Sequence, residues 1–242
     1  MSAFPPSPFV ALYRTILGAV ATRSRIAALG ALGAGASLVG LAIGLSDPFR
    51  PDRAGVLYVN GVGLSVLVPV VALVFAAATF GDLSEDATLV YLWLRPLPRW
   101  HLALAAYGAA LTVTLPLTVV PLCLGVALTG AGLAVVAGTA AAVTAGVVAY
   151  AALFCALGLR FQRALAWGLA YILIWEGFVA QAGRGASRLA IRAYTRSILT
   201  EASGIRLRLA NVSILTGMVV PAVVALVAIA YTAYRLRRHD VP

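Results

Sequence analysis

Six stretches of this chain, 25–45, 55–80, 101–128, 133–159, 164–181 and 212–234, are each apolar enough to live in lipid, and together they hold one acidic residue, Glu176. A bilayer core of about 30 Å takes about 20 apolar residues as a helix. No water reaches the backbone there, so a spanning segment must satisfy its own amides and carbonyls. Runs of this length are read as helices, each long enough to cross. The expected fold class is all-α: a polytopic membrane protein with six transmembrane helices plus an N-terminal interfacial helix. Residues 1–242 are expected to form one transmembrane domain. Composition agrees, with 62% hydrophobic and 11% charged residues against ~45–50% and ~25% in a soluble domain.

The basic residues narrow the chemistry. All 18 are Arg, and Lys is absent. A phosphate-binding P-loop needs a Lys after its glycines, so no such loop is expected here. Schiff-base and Lys-nucleophile catalysis are excluded on the same ground. All-Arg usage fits a GC-rich genome, and a prokaryotic source is expected. The net charge of +10 does not point to nucleic acid, because the arginines flank apolar spans instead of forming a basic domain. Cys123 and Cys155 fall in neighbouring spans at opposite depths, too far apart for a disulfide. The start of the chain, with Pro5, Pro6 and Pro8, lacks the pattern of a cleavable signal. The first span is expected to serve as its own membrane signal.

Between the spans, polar segments carry the information. Residues 8–24 space Phe9, Leu12, Tyr13, Ile16, Leu17 and Val20 as an amphipathic interfacial helix. The first span presents Gly33, Ala36, Gly40 and Gly44, a stripe on which another helix can approach closely. That stripe is either a seam between two copies or packing within one chain. Residues 46–54 form a polar turn. Asn60, inside the second span, must find a hydrogen-bond partner. Pro116 and Pro121 should tilt or kink the third span. Thr129–Gly132 is a tight turn, and Gly138, Ala142 and Gly146 give the fourth span a smooth stripe. Residues 183–210 carry six arginines. Of these, Arg184, Arg188, Arg192 and Arg196 form one stripe and Ile191, Tyr194 and Ile198 another face, so the segment reads as an external interfacial or re-entrant helix. An asparagine sequon at Asn211 abuts the last span and is read as chance.

With both termini inside, ten arginines lie on the cytoplasmic side and eight outside, six of those in 183–210. The positive-inside rule thus favours cytoplasmic termini in a plasma membrane. No catalytic constellation is evident: His101 and His239 are far apart, and no span holds two carboxylates. An integral-membrane enzyme is therefore disfavoured.

Residues 82–99 begin with Asp82, Glu85 and Asp86 and end with Arg95, Pro96, Pro98 and Arg99. Ser84 or Asp82 can cap a short helix running to Leu94, with the acids suiting its dipole and the prolines stopping it. The stretch Glu85–Trp100, EDATLVYLWLRPLPRW, resembles the segment between the second and third spans of ATP-binding-cassette (ABC) type-2 permeases. Asp86, Thr88, Leu89, Leu92, Arg95, Pro96 and Arg99 carry the likeness, and Ala87 stands where Gly is usual. YILIWEG, Tyr171–Gly177, followed by an Arg-, Ser- and Tyr-rich segment, resembles one branch of that family.

The resemblance implies an ABC type-2 exporter-like permease subunit, working as a homodimer with two copies of a cytoplasmic ATPase subunit that would hold ATP and Mg. No cofactor is expected on this chain. Residues 82–99 would be the coupling helix, with Asp82, Glu85, Asp86, Thr88, Leu89, Arg95, Pro96 and Arg99 at the ATPase. Residues 8–24 would be the connecting helix, and membrane lipid the surroundings. The largely apolar spans favour a hydrophobic or amphipathic cargo. Asn60, Trp175 and Glu176 are the candidate polar positions along its path. Glu176 is expected either to pair with Arg184 or Arg188, to handle substrate or protons, or to meet water near the outer rim. The competing reading is a non-transporting membrane scaffold or anchor subunit.

Overall fold

Apolar runs bounded by arginines and turns fold as helices, and no strand occurs among the described residues. The computed structural model describes residues 8–46, 48–85, 98–179, 184–207 and 212–238. The long helices are α1 (Pro8–Val20), α2 (Arg23–Ser46), α4 (Arg99–Leu128), α5 (Leu133–Arg160) and α8 (Ile214–Arg238). Between α2 and α4, Pro51–Tyr58, a π-helical stretch Val59–Leu67 and Val68–Glu85 run on without a break, together called α3. Between α5 and α8 stand two shorter helices. The first, α6, is Ala164–Ala170 continued as a π-helical Tyr171–Glu176. The second, α7, is Ile191–Ser203, preceded by a helical turn at Arg184–Ser187.

Among the described residues, five helices (α2, α3, α4, α5 and α8) are long and apolar enough to cross a membrane. They match five of the six expected spans to within a few residues. The sixth expectation, a span over 164–181, differs. After seven α-helical and six π-helical residues α6 stops at Glu176, a rise of about 20 Å where a bilayer core needs about 30 Å. Its carboxylate, described below, draws partners that a straight apolar helix would not offer.

Two further expectations are corrected. Asp82 and Ser84 do not cap a separate helix, because α3 continues through Glu85; residues 86–97 lie outside the described residues. Nor is the interfacial or re-entrant segment 183–210 one continuous helix. It breaks after Ser187, and α7 buries Ile198 and Leu199 as well as Arg196.

α5 is the centre, with α3, α4, α7 and α8 all packed on it. α4 runs antiparallel to it: Tyr107 Oη donates to the Val148 carbonyl at 3.1 Å. α7 is also antiparallel to α5, with Gly146 facing Thr195 and Gly138 facing Ala202. The smooth stripe on α5 thus receives α7 on its Gly138 and Gly146 positions, and Val68 of α3 also meets Gly146.

The glycine stripe of α2 packs within the chain, against α4. Gly33 meets Pro121, Gly40 meets the backbone of Gly125, and Gly44 meets Leu128 and Thr129. Two hydroxyls stitch this seam: Ser37 Oγ donates to the Pro121 carbonyl at 2.9 Å, and Tyr58 Oη to the Ala36 carbonyl at 2.8 Å. Beyond it, Asp52 Oδ1 accepts from Gly132 N–H at 2.7 Å, joining two turns. Gly130, at φ 79°, makes the second of these turns tight. α1 buries Leu12, Ile16 and Val20, and Tyr13 shares a 2.7 Å hydrogen bond with Thr112 of α4. α4 remains one helix through Pro116 and Pro121. Cys123 and Cys155 are both free thiols.

A Cβ on Gly40 would overlap the Gly125 backbone. Gly40→Val should push α2 off α4 and lower stability by about 1–3 kcal/mol, the usual range for overpacking. Thermal unfolding of the purified protein in detergent measures this; Gly30→Val, at a position with nothing within 4 Å, is the control and should leave the midpoint unchanged.

Candidate functional site

A polar cluster lies inside the apolar bundle, where α3, α5, α6 and α7 meet. Its acid is Glu176, the last residue of α6 and only 4% exposed. α6 lies along α5 from the Arg160 end, with Trp167 stacked near Phe161 and Tyr171 edge-on to Phe154. This brings Glu176 to Tyr150, whose hydroxyl donates to Glu176 Oε2 at 2.5 Å. Tyr171 Oη donates to Oε1 at 3.2 Å, and the Ile191 N–H donates to Oε1 at 3.1 Å.

The third of these bonds has a structural consequence. Ile191 opens α7, and its N-cap residue Ala190 offers no side-chain cap. The first amides of a helix have no partner within it. Glu176 satisfies one from another segment, with its negative charge set at the positive end of the helix dipole. α6 ends and α7 begins on one carboxylate.

The cations of the cluster come from α7. Arg196, 8% exposed, donates from Nε to Asn60 Oδ1 at 2.6 Å. Arg192 donates from Nη2 to Ser65 Oγ, and that hydroxyl donates in turn to the Asn60 carbonyl at 2.5 Å. Asn60 and Ser65 both belong to the π-helical part of α3, and Glu176 closes the π-helical part of α6. π-helical turns in membrane and soluble helices often mark functional positions. Here both present polar atoms to α7.

The positions marked from sequence fare differently. Asn60 and Glu176 meet α7 in this cluster, whereas Trp175 is half-buried and takes no part in its hydrogen bonds. The expected pairing of Glu176 with Arg188 is replaced, because Arg188 faces outward and its carbonyl accepts from Tyr194 Oη. The side chain of Arg184 lies outside the described residues. One and two turns beyond Arg188, Arg192 and Arg196 reach inward, to Ser65 and Asn60. Asp82 and Glu85 fall in the last turn of α3, and Arg99 opens α4. Asp86, Thr88, Leu89, Arg95 and Pro96 lie outside the described residues.

Tyr150 and Ser65 escaped the sequence reading, Tyr171 entered it only as the start of a motif, and Arg192 and Arg196 only as part of a stripe. A usable signal was present: a hydroxyl or guanidinium inside or beside an apolar run needs a partner. Among the described residues, no three His, Cys, Asp or Glu side chains gather as a metal site would require. No family model matches the chain, nor does any curated protein.

With two guanidiniums, one carboxylate and neutral partners, the cluster joins four helices, α3, α5, α6 and α7, that otherwise meet through apolar contact. Its bonds are directional, so a relative shift of α7 breaks them together. Tyr150→Phe removes one bond to a buried carboxylate and should destabilise by about 1.5–3 kcal/mol. Glu176→Leu leaves the Tyr150 and Tyr171 hydroxyls and the Ile191 amide without their acceptor, and its loss should be larger, about 3–5 kcal/mol for several bonds at once. Denaturation of both variants in one detergent tests the order; an equal loss would mean that the bonds from Tyr171 and Ile191 add nothing to the one from Tyr150.

Proposed function

We propose that this chain is the transmembrane permease subunit of an ABC type-2 transporter, an exporter of a hydrophobic or amphipathic cargo. In this reading two copies form the pathway, and a separate cytoplasmic ATPase subunit, also in two copies, drives it. The protein sits in a prokaryotic plasma membrane with both termini in the cytoplasm. α6 and α7, about 20 Å each, act as two halves of one interrupted crossing, which makes six passages in all.

The observation that carries the reading is how the permease-like motif is mounted. α3 runs on through Glu85 and α4 restarts at Arg99. Both are long, and both rest on α5 at its Arg160 end, where Gly158 meets Ala77. A segment held between two such rods can act as a lever: force applied to 86–97 would be delivered to α3 and α4 as units. α3 in turn holds Asn60 and Ser65 against Arg196 and Arg192. Movement of α3 would therefore reach the polar cluster, the place where the crossing is interrupted. Discontinuous helices with polar groups at mid-depth are where transporters commonly build their sites.

Expression with the ATPase encoded beside this gene tests the reading. The expected result is a complex that co-purifies in nanodiscs and hydrolyses ATP. Replacing Glu85, Asp86 and Arg95 together by Ala should uncouple that hydrolysis, with at least a tenfold loss, about 1.4 kcal/mol at the docking surface. A protein that binds no ATPase, or binds it regardless of these residues, would leave the scaffold reading in place.

A further inference from the structure

Between α5 and α8 runs a groove of about 620 Å³, lined by Leu153, Leu157, Phe161, Val223, Val227 and Tyr231 among others. It opens to the outside of the bundle, with Val227 62% exposed. The volume falls in the range of about 300–1,000 Å³ typical of small-ligand sites. The wall is apolar along its length, and its one charged residue is Arg160, at the end of α5. The Arg160 guanidinium stands 5.2 Å from the centre of the Phe161 ring and remains exposed. One turn beyond Tyr231, Arg235 has a buried Nε without a hydrogen-bond partner. Neither α5 nor α8 carries an Asp or Glu.

We infer that this groove holds an anionic phospholipid of the bilayer, one acyl chain lying between α5 and α8 and the phosphate at Arg160 and Arg235. Three observations favour that occupant. The apolar length suits a hydrocarbon chain, the charges at its mouth among the described residues are positive, and the mouth lies at the end of two membrane-length helices, where headgroups are. Basic pockets between membrane helices bind anionic headgroups by this combination. A second copy of the chain fits less well. A two-fold axis along the membrane normal would bring the same end of each groove together, opposing Arg160 and Arg235 to their own copies. The inference does not rest on the transport reading, since it needs neither ATPase nor cargo.

Native mass spectrometry of the purified, delipidated protein tests it, using equal amounts of dioleoyl phosphatidylglycerol and dioleoyl phosphatidylcholine. The expected result is preferential retention of phosphatidylglycerol. Arg160→Gln and Arg235→Gln should each reduce that preference by about fivefold, the effect of one surface charge on an anionic lipid. Val227→Trp, which fills the groove from its exposed wall and leaves both arginines, should lower retention of both lipids without changing the unfolding midpoint. Equal retention of the two lipids by the unaltered protein would overturn the inference. So would a preference that survives both Arg variants, or a dimer that Val227→Trp dissociates.

Discussion

A carboxylate placed inside an apolar bundle must be surrounded by donors, and much of the arrangement around α5 follows from that need. Glu176 takes one hydroxyl from α5, one from its own helix and the first amide of α7. Desolvating an ionised side chain costs several kcal/mol unless hydrogen bonds and an opposite charge replace the lost water. A continuous helix through 176 could not supply them, because its own amides are already committed to its own carbonyls. Ending α6 there frees the chain to return and offer the N-terminus of α7. The interruption and the acid explain each other.

The arginines follow the same logic. Arg192 and Arg196 sit one turn apart on α7, so both reach the same side, toward the π-helical stretch of α3. A wider helical turn shifts the register of side chains and carbonyls relative to an α-helix. Ser65 can then bond back to the Asn60 carbonyl five residues earlier while accepting from Arg192. Around this polar centre the contacts are close and apolar: Gly138 and Gly146 let α7 approach α5, and Gly40 and Gly125 bring α2 onto α4. Lipid offers no hydrophobic gain for helices to associate, so such contacts rely on packing and on the few interhelical hydrogen bonds. The two kinds of contact divide the work. Glycine seams set distance, and the cluster sets register.

Much of the helical layout was legible because hydropathy reports burial in lipid directly. Five spans could be located to within a few residues, and the two tight turns near Pro51 and Gly130 were marked by Pro and Gly. The stripe at Gly33, Gly40 and Gly44 was visible, but a stripe does not say which helix it meets; only the position of Pro121 and Gly125 across from it does. The segment 164–203 was the hardest to read. Period and hydropathy treat an arginine every four residues as a solvated face. They do not register that Arg192 and Arg196 have the Ser65 hydroxyl and the Asn60 amide oxygen within reach, more than a hundred positions away. Glu176 stood out by being alone in its span, yet its partners were neutral tyrosines that apolar composition had absorbed.

This division bears on how the molecule can move. Glycine seams tolerate sliding only along their length, since any lateral shift of α2 over α4 drives Gly40 into the Gly125 backbone. α7 is held differently. Its ends are free of long helices, with Gly204 at φ 68° on one side and the turn before Ile191 on the other. Its hold on the bundle combines apolar contact with a handful of directional bonds to α3 and Glu176. Directional bonds are lost over a displacement of an ångström or so, well before packed apolar surfaces separate. Among the described helices α7 is therefore the one whose placement depends most on directional bonds. A displacement of α3 would act on Asn60 and Ser65, the residues that bond Arg196 and Arg192 of α7.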